Sequence, residues 1–343
     1  MLYASVVSTD PAINLQLALG VELSVLPPYL YALWSIKSAD EGASAPAIEA
    51  ARTIRAVVYE EMLHAGLVAN ILNALGTPPD LLAHLVDYPG PLPGHAALPP
   101  NGYVVGLGPL NADTLDTFLK IERPGWEPDE VKDDPQWITI NELYDQVLAQ
   151  LDKLGKDAFD HGHQLPPGDN PGPGRMLAIT DIESVREAVA TVLDQGEGHR
   201  PPPPPPPGQP PDYSYESDDD HEVAHYYQFE AIAGYLTSGL IDPERDLYPL
   251  VTDPDPTRYS AEQQAANNAF NKLYTALLDS LQETLGSPEP RAFGAPTQIM
   301  NELEQRAALL RNAGPIPGTG QLAGPTFAYL KTSGSGGDAD GAG

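Results

Sequence analysis

The 343-residue sequence contains no cysteine. This absence excludes disulfide bonds, thiolate metal sites, iron–sulfur clusters and a cysteine nucleophile. Any metal ion must therefore be bound by carboxylates and imidazoles, a ligand set that suits iron or manganese better than structural zinc.

Positive charge is scarce as well, with 18 lysines and arginines against 48 aspartates and glutamates and a formal net charge of -30. Such a surface repels phosphate backbones and anionic membranes, so we expect neither nucleic acid nor a membrane as a partner. The N-terminus has no basic region followed by an apolar core, which argues against a signal peptide and favours a cytoplasmic location. Residues 15–36 are apolar enough to suggest a membrane span, but Glu22 and the Pro27-Pro28 pair favour a buried bundle helix.

Apolar residues recur with the 3.6-residue period of helices, and the 38 prolines lie mostly between these periodic segments. The pattern predicts an all-α protein with long proline- and glycine-rich loops. We expect a bundle over residues 1–240 with loop insertions at 77–137 and 199–220, the first of which is a candidate substrate lid. Further helices over 241–330 should pack on the same domain, and 331–343 should be a disordered tail. The predicted helices are 14–37 (kinked at Pro27 and Pro28), 46–75, 138–159, 182–196, 222–236, 260–285 and 297–311.

One predicted helix carries two polar residues inside its apolar stripe. Between Ile54 and Leu75 the apolar positions follow one helix face, and Glu61 and His64 lie within it. A buried carboxylate and imidazole are costly unless something pairs with them. Three-residue spacing puts both side chains on one side of a helical turn, as the Glu-x-x-His of a bundle-borne metal site requires. A buried ion pair is the alternative interpretation.

Other core-facing polar residues extend this pattern. Glu22 lies in the apolar stripe of the first helix, and Glu197 stands one turn beyond Leu193. Glu222 and His225 form a second Glu-x-x-His on an apolar face. One glutamate from each of two helices and Glu-x-x-His from the other two is the pattern of di-metal carboxylate sites in four-helix bundles. Two ions bridged by glutamates can together reduce dioxygen or peroxide, so the residues predict two iron ions, with manganese as the alternative metal, over paired structural charges.

Segments spread over residues 12–329 also carry a family resemblance. They read ALGVELSVLPPYLYALWSIK, VVYEEMLHAGLVANILNALGTPP, YPGPLPG, FLKIERP, ITINELY, VLDQGEG, EVAHYYQFEAI and AGPTFAY. In these segments the chain resembles the ferritin-like domain of the iminophenylpyruvate dimer synthases, the enzymes of violacein- and rebeccamycin-type pathways, and their stand-alone relatives. The resemblance implies a ferritin-like four-helix bundle with additional C-terminal helices.

The resemblance also bears on the metal ligands. It carries over five residues found from the pattern and adds Glu142 of ITINELY, because the family's helix at that segment looks to place its glutamate toward the metals. Periodicity alone puts Glu142 on a helix flank and favours Glu222, so both remain candidates. The predicted metal ligands are Glu22, Glu61, His64, Glu142, Glu197, Glu222 and His225.

The expected function is a non-haem di-iron oxidase or oxygenase acting on a small amino-acid-derived molecule in specialised metabolism, with oxidative coupling of imino acids as the narrower version. Glu61 and His64 would be its catalytic centre, and dioxygen or peroxide its co-substrate. A homo-oligomer and a partner oxidase that supplies the substrate are further expectations. The alternatives are a ferroxidase or other metal-handling protein, and a non-catalytic bundle scaffold recruited through the seven prolines at 201–207. This proline insertion departs from the family, as does the lack of the large additional region of the violacein-pathway enzyme.

Overall fold

A computed structural model describes residues 2–3, 7–94, 104–124, 137–159, 163–169, 172–196, 223–286 and 294–331. Helices dominate these residues, which confirms the predicted all-α fold. The strands in this part of the chain form two short antiparallel pairs. They are β1 (Leu2–Tyr3) with β2 (Trp137–Ile138), and β3 (Gly168–Asp169) with β4 (Arg175–Met176).

Most helix bounds lie within three residues of the predicted ones, but the helix predicted over 138–159 ends at Leu151, and the span predicted over 14–37 divides into two helices at Val25. Single turns of 3-10 helix cover Ala39–Glu41, Leu82–His84, Lys156–Phe159 and Pro256–Arg258. The α-helices are α1 (Pro11–Ser24), α2 (Leu26–Trp34), α3 (Ala45–Ala74), α4 (Ala112–Ile121), α5 (Ile140–Leu151), α6 (Ile182–Gly196), α7 (His225–Thr237), α8 (Pro243–Asp246), α9 (Ala261–Gly286) and α10 (Gly294–Asn312).

The bundle is built in two tiers that share α3. In the first tier α1 packs on α3, α3 on α6, α6 on α5, and α5 on α1. In the second tier α2 packs on α3, α3 on α7, and α7 on α4. Tyr29 of α2 contacts Phe118 of α4, with the centroids of their aromatic rings 4.6 Å apart. This contact between α2 and α4 closes the second tier of four helices. The four columns of the bundle are therefore α1–α2, α3, α4–α5 and α6–α7, and α3 alone runs unbroken through both tiers.

The breaks between the tiers have different origins. The first column breaks at Val25, directly before a helix whose second and third residues are Pro27 and Pro28. Proline lacks the N–H of the helical ladder, which explains the predicted kink. The other two breaks contain the segments 125–136 and 197–222, which lie outside the described residues together with most of the predicted 199–220 insertion.

Part of the segment 77–137 differs from the predicted loop insertion. Its helix α4 is a member of the bundle, because it packs along α7 and buries Leu115 and Phe118. The stretch before α4 is irregular where it is described, as expected from its prolines. The role of this segment as a substrate lid stays a prediction, because 95–103 and 125–136 lie outside the described residues.

The C-terminal helices pack against the outside of the bundle. Helix α9 contacts α10 along its length and also contacts α3. Trp34 of α2 stacks on Phe327 with ring centroids 5.7 Å apart, and Phe270 of α9 meets both rings edge-on. These contacts tie α9 and the AGPTFAY segment to the bundle, while 332–343 of the predicted tail lie outside the described residues.

By length and hydropathy alone, the span Pro11–Trp34 could cross a membrane. In this fold, however, 83% of its most apolar stretch is buried against the rest of the protein. Burial of this extent is typical of a core helix in a bundle, as the sequence predicts for this span.

A hydrogen-bonded cap begins the long helix α3. Ser44 Oγ accepts from the N–H of Ala47 at 3.4 Å and donates to Oδ2 of the fully buried Asp246 at 2.9 Å. We expect Ser44→Ala to lower the free energy of unfolding by about 1–2 kcal/mol and the melting temperature by roughly 2–3 °C. Thermal unfolding checks this, with Ser44→Thr as the control that keeps the hydroxyl. A Ser44→Ala protein as stable as the wild type would contradict the capping role.

Candidate metal centre

Buried carboxylates and imidazoles meet where the two tiers join. Glu22 comes from the last turn of α1, Glu61 and His64 from the middle of α3, Glu122 from the C-cap of α4, and His225 from the first residue of α7. Glu122 has a side-chain exposure of 10%, and the other four residues are buried. Three of the four bundle columns break where the tiers join. The ends of their helices therefore meet the middle of the unbroken α3 at this site.

The first group of ligand atoms, which we name the His64 position, consists of Glu22, Glu61 and His64. Nδ1 of His64 lies 3.6 Å from Oε2 of Glu22 and 3.6 Å from Oε2 of Glu61. The atoms that these three residues offer lie within 4.8 Å of one another. This separation is suited to three ligands around one metal ion.

The second group, which we name the His225 position, consists of Glu61, Glu122 and His225. Nδ1 of His225 lies 2.9 Å from Oε1 of Glu61 and 3.4 Å from Oε2 of Glu122. The imidazole rings of His64 and His225 are nearly parallel, with centroids 5.8 Å apart. Glu61 belongs to both groups, one oxygen to each, so its carboxylate is placed to bridge two ions.

The residues fit a bound metal on one observation in particular. Nδ1 of His225 is fully buried and forms no hydrogen bond within the described part of the chain, although carboxylate oxygens surround it. A buried nitrogen left in this way carries a desolvation cost that a metal–nitrogen bond would remove. Carboxylate oxygens with imidazole nitrogen form a donor set that suits iron or manganese.

Side chains around the ligands fix their orientation. Nε2 of His64 lies 2.9 Å from Oε1 of Gln195, and Nε2 of His225 lies 2.7 Å from Oε2 of Glu60. With the proton on Nε2, each histidine presents the lone pair of Nδ1 to the carboxylates.

Two buried tyrosines hold the outer carboxylates. The hydroxyl of Tyr144 donates to Oε1 of Glu22 at 3.0 Å, and the hydroxyl of Tyr29 donates to Oε1 of Glu122. These bonds leave the second oxygen of each carboxylate directed toward a histidine. Each outer carboxylate is therefore oriented by one tyrosine.

The pKa values follow from burial and from this pairing. Burial raises the pKa of Glu22 to about 7. Burial alone would lower the pKa of His64, but its contacts with Glu22 and Glu61 outweigh it and raise that pKa to about 10. Burial likewise opposes the charged form of Glu61, yet the two histidines hold the pKa of its carboxyl below the usual range. Without metal, protons therefore occupy the site at neutral pH, and metal binding must displace them.

A cavity of about 60 Å³ opens beside these groups. Glu22, Glu61, His64 and Glu122 line it together with Arg123. Its remaining wall is mostly aliphatic and is formed by Val21, Val25, Ile121, Thr139, Ile140, Val192, Leu193 and Gly196. The cavity thus joins the candidate metal ligands to an apolar surface and one guanidinium group.

The structure brings four of the predicted ligands together, namely Glu22, Glu61, His64 and His225. Glu142 does not belong to either group of ligand atoms, and its carboxylate accepts from the N–H of Thr139 at 2.8 Å and completes a capping box at the start of α5. Glu197 and Glu222 lie outside the described residues.

Glu122 and Glu60 are the residues that the sequence analysis missed. Glu122 continues the apolar stripe of Leu115 and Phe118 at helical spacing, so its position was readable as soon as that helix was assigned to the bundle. The sequence carries no such signal for Glu60. This residue lies next to the apolar stripe of α3 rather than within it, so the pattern predicts a position at the polar edge of the helix.

These placements give opposite expectations for two glutamates. We expect Glu122→Ala to lower the metal content from two ions per chain to about one, because it removes a ligand of the His225 position. Glu142→Ala should keep both ions and lose only about 0.5–1 kcal/mol of stability with its capping box. Elemental analysis of the purified variants measures the metal content. The reverse outcome would assign Glu142 to the metals in place of Glu122.

Comparisons with known proteins agree with the helical-bundle fold. A family model described as ferritin-like matches residues 15–234. The 2-imino-3-(indol-3-yl)propanoate dimerase of Chromobacterium violaceum is 31% identical over 54% of this chain and 21% of its own length. The dichlorochromopyrrolate synthase of Lentzea aerocolonigenes is 23% identical over 93% of this chain and 36% of its own length. The chain therefore spans between 21% and 36% of these two relatives.

The fold has a solved counterpart as well. The crystal structure of a ferritin-like protein from Caulobacter vibrioides matches with a TM-score of 0.58 and 23% identity, over 90% of this chain and 96% of that one. The two relatives confirm the resemblance to the imine-dimer synthases, and the solved structure confirms the bundle. The family model matches most of the chain, so the chain belongs to the ferritin-like family.

Proposed function

We propose that the chain is a di-metal oxidase that couples two small amino-acid-derived molecules. The observation that carries this proposal is the placement of Glu61, whose two oxygens face separate groups of buried ligand atoms. A shared carboxylate between two histidine-containing groups is the arrangement of a two-metal centre in a helical bundle. The names of the relatives, an indolyl imino acid dimerase and a dichlorochromopyrrolate synthase, suggest the reaction class.

In this proposal one ion is held by Glu22, Glu61 and His64, and the other by Glu61, Glu122 and His225. Iron is the first choice for these nitrogen and oxygen ligands, and manganese is the alternative. The bound pair would supply two-electron chemistry with dioxygen or peroxide. Tyr144, Tyr29, Gln195 and Glu60 would keep the ligands in place during turnover.

The cavity wall supports a particular kind of substrate. Aliphatic side chains such as Val25 and Leu193 would bind an apolar amino-acid side chain and keep water away from the metals. Arg123 lies in the same wall and would attract a substrate carboxylate, in a protein whose charge is otherwise strongly negative. An imino acid with an aromatic or aliphatic side chain satisfies both features.

The coupling step balances without a further cofactor. Joining two imino acids by one new bond removes one hydrogen from each, which amounts to two protons and two electrons. These electrons reduce dioxygen to hydrogen peroxide, or hydrogen peroxide to two molecules of water. A partner oxidase that makes the imino acid from an amino acid would release peroxide at the same time, so such a partner fits either oxidant.

The test is an aerobic assay of iron-loaded protein with 2-imino-3-(indol-3-yl)propanoate, generated in place from tryptophan by an amino-acid oxidase. We expect oxidant consumption and a product with twice the substrate mass less two hydrogens. Catalase, added in a parallel reaction, separates the dioxygen and peroxide routes. Glu49→Gln, on the exposed part of α3, is the control for Glu61→Gln.

Two results would redirect the proposal. Iron uptake far beyond two ions per chain in a large assembly would identify a metal-handling protein instead. Two bound ions with no coupling of indolyl, phenyl or aliphatic imino acids would leave the scaffold alternative. A cytoplasmic location and a small homo-oligomer remain part of the proposal, and fractionation and solution mass would test them.

A further inference from the structure

The two metal positions are built from matching parts. Each has one histidine whose Nδ1 faces carboxylates, and both share Glu61. Each also has one outer glutamate that accepts a hydrogen bond from a buried tyrosine, namely Glu22 from Tyr144 and Glu122 from Tyr29. The positions therefore differ little in the atoms that would touch the ions.

The difference lies one bond further out, on the far side of each imidazole. Nε2 of His64 meets the neutral amide oxygen of Gln195 at 2.9 Å, whereas Nε2 of His225 meets the carboxylate of Glu60 at 2.7 Å. Gln195 is 2% exposed and Glu60 is 3% exposed, so water screens neither contact. Glu60 stands beside Glu61 in α3 but does not join either group of ligand atoms.

A carboxylate that accepts the N–H of an imidazole does more than orient the ring. It draws the proton toward itself, so the opposite nitrogen donates more strongly to a metal. Charge-assisted bonds of this kind are about twice as strong as neutral ones, and low dielectric strengthens them further. A neutral glutamine oxygen fixes the ring orientation without this electronic effect.

Local charge acts in the same direction. Among the described residues, three carboxylates, those of Glu60, Glu61 and Glu122, lie within 3.4 Å of His225. The same part of the chain places two carboxylates, those of Glu22 and Glu61, within 3.6 Å of His64. Arg123 lines the cavity together with Glu22, Glu61, His64 and Glu122.

We propose that the two metal positions are inequivalent, with Glu60 as the positioning residue that makes the His225 position the tighter and the first to be filled. This inference rests on the proposed di-metal site and adds an order of loading to it. Glu60 does not touch the ion in this assignment and acts through His225. A centre with one tightly held ion and one weaker ion has a more exchangeable side, the His64 position.

Titration of the metal-free protein with Co²⁺ tests the inference. Calorimetry and the visible absorption of the bound ion both monitor the titration. We expect two steps whose dissociation constants differ at least about tenfold. Glu122→Ala should remove the tight step and Glu22→Ala the weak one, which assigns each step to its position.

Two substitutions between side chains of nearly equal size then test the hydrogen bonds to the Nε2 atoms of the two histidines. Glu60→Gln should weaken the tight step by about 10–100-fold and leave the other nearly unchanged. Gln195→Glu should strengthen the weak step, a gain that a damaged fold would not produce. Equal affinities in the wild type, or equal weakening of both steps by Glu60→Gln, would overturn the inference while leaving the di-metal site intact. Failure of the wild type to bind any Co²⁺, Fe²⁺ or Mn²⁺ would overturn the proposed function together with it.

Discussion

Glu61→Ala is expected to abolish binding of both metal ions and to lower the proposed oxidase activity at least about 100-fold. The reason is that one carboxylate serves two positions, with Oε2 lying 3.6 Å from Nδ1 of His64 and Oε1 lying 2.9 Å from Nδ1 of His225. Its loss takes one of three described protein ligands from each ion at once. The metal content should fall from two ions per chain to well below one, as measured by elemental analysis.

Controls separate this effect from damage to the fold. Glu61→Gln keeps the size of the side chain and removes its charge, so it should also lose both ions while retaining the wild-type helical circular dichroism spectrum. Glu49→Ala removes a glutamate from the same helix at a position with 41% side-chain exposure, and it should retain both ions and full activity. One ion kept by Glu61→Ala would mean that the carboxylate serves a single position.

Glu61 and His64 could be predicted from the sequence because α3 is unbroken. Its residues keep one helical period from Ile54 to the end, so a polar pair inside the apolar stripe is visible by spacing alone. The break after α1 was readable for a similar reason, since Pro27 and Pro28 have a fixed local effect. Local rules are sufficient where the signal is contained in one helix.

Glu60 shows where such rules stop. A hydrophobic stripe assumes one face toward the core and one toward water. The middle of α3 has no fully exposed face, because α1, α2, α6, α7 and α9 all pack around this helix and leave only side chains such as Tyr59 and Met62 half-buried. Both Glu60 and Glu61 are therefore buried, and only the position of His225 distinguishes their roles.

Glu122 and Glu142 show a second limit, which concerns the third column of the bundle. That column is divided between α4 and α5, and the sequence predicts the α5 half as a helix over 138–159 but places the short α4 within the loop insertion 77–137. A glutamate near the junction can belong to the end of one half or to the start of the other. Thr139-x-x-Glu142 is a capping box, a local signal that would have assigned Glu142 to the helix start.

The second large effect concerns pH in the metal-free protein. The folded-state pKa of Glu22 is raised from 4.5 to about 7, so the folded state binds this proton more tightly than the unfolded state does. The resulting stability is complete below pH 4.5 and is lost as the pH rises through 7. His64 has the same sign, with a pKa raised from 6.5 to about 10, so its contribution is complete below pH 6.5 and is lost as the pH rises through about 10. Glu61 has the opposite sign, so its contribution is lost as the pH falls below 4.5.

Together these signs place the maximum stability of the metal-free protein near pH 5. Between pH 5 and pH 8 we expect it to lose about 3 kcal/mol, the amount that a shift of this size at Glu22 represents, and roughly 5 °C in melting temperature. Thermal unfolding in the presence of a chelator measures this slope. Glu22→Gln, which cannot titrate, should be distinctly flatter over the same range.

Metal should reverse the trend, because its ligands must be deprotonated. Between pH 5 and pH 8 the affinity for Mn²⁺ should rise, since Glu22 loses its proton over this range and the proton that His64 still holds costs less to displace as the pH rises. The difference in melting temperature between Mn²⁺-loaded and metal-free protein should therefore widen with pH. A metal-free protein whose melting temperature is constant or rises from pH 5 to pH 8 would contradict the proton-occupied site. So would a Glu22→Gln protein with the slope of the wild type.

Because loading exchanges protons for metal, calorimetry in buffers of different ionisation enthalpy should record proton release on binding at pH 6, and Glu22→Gln should release fewer protons.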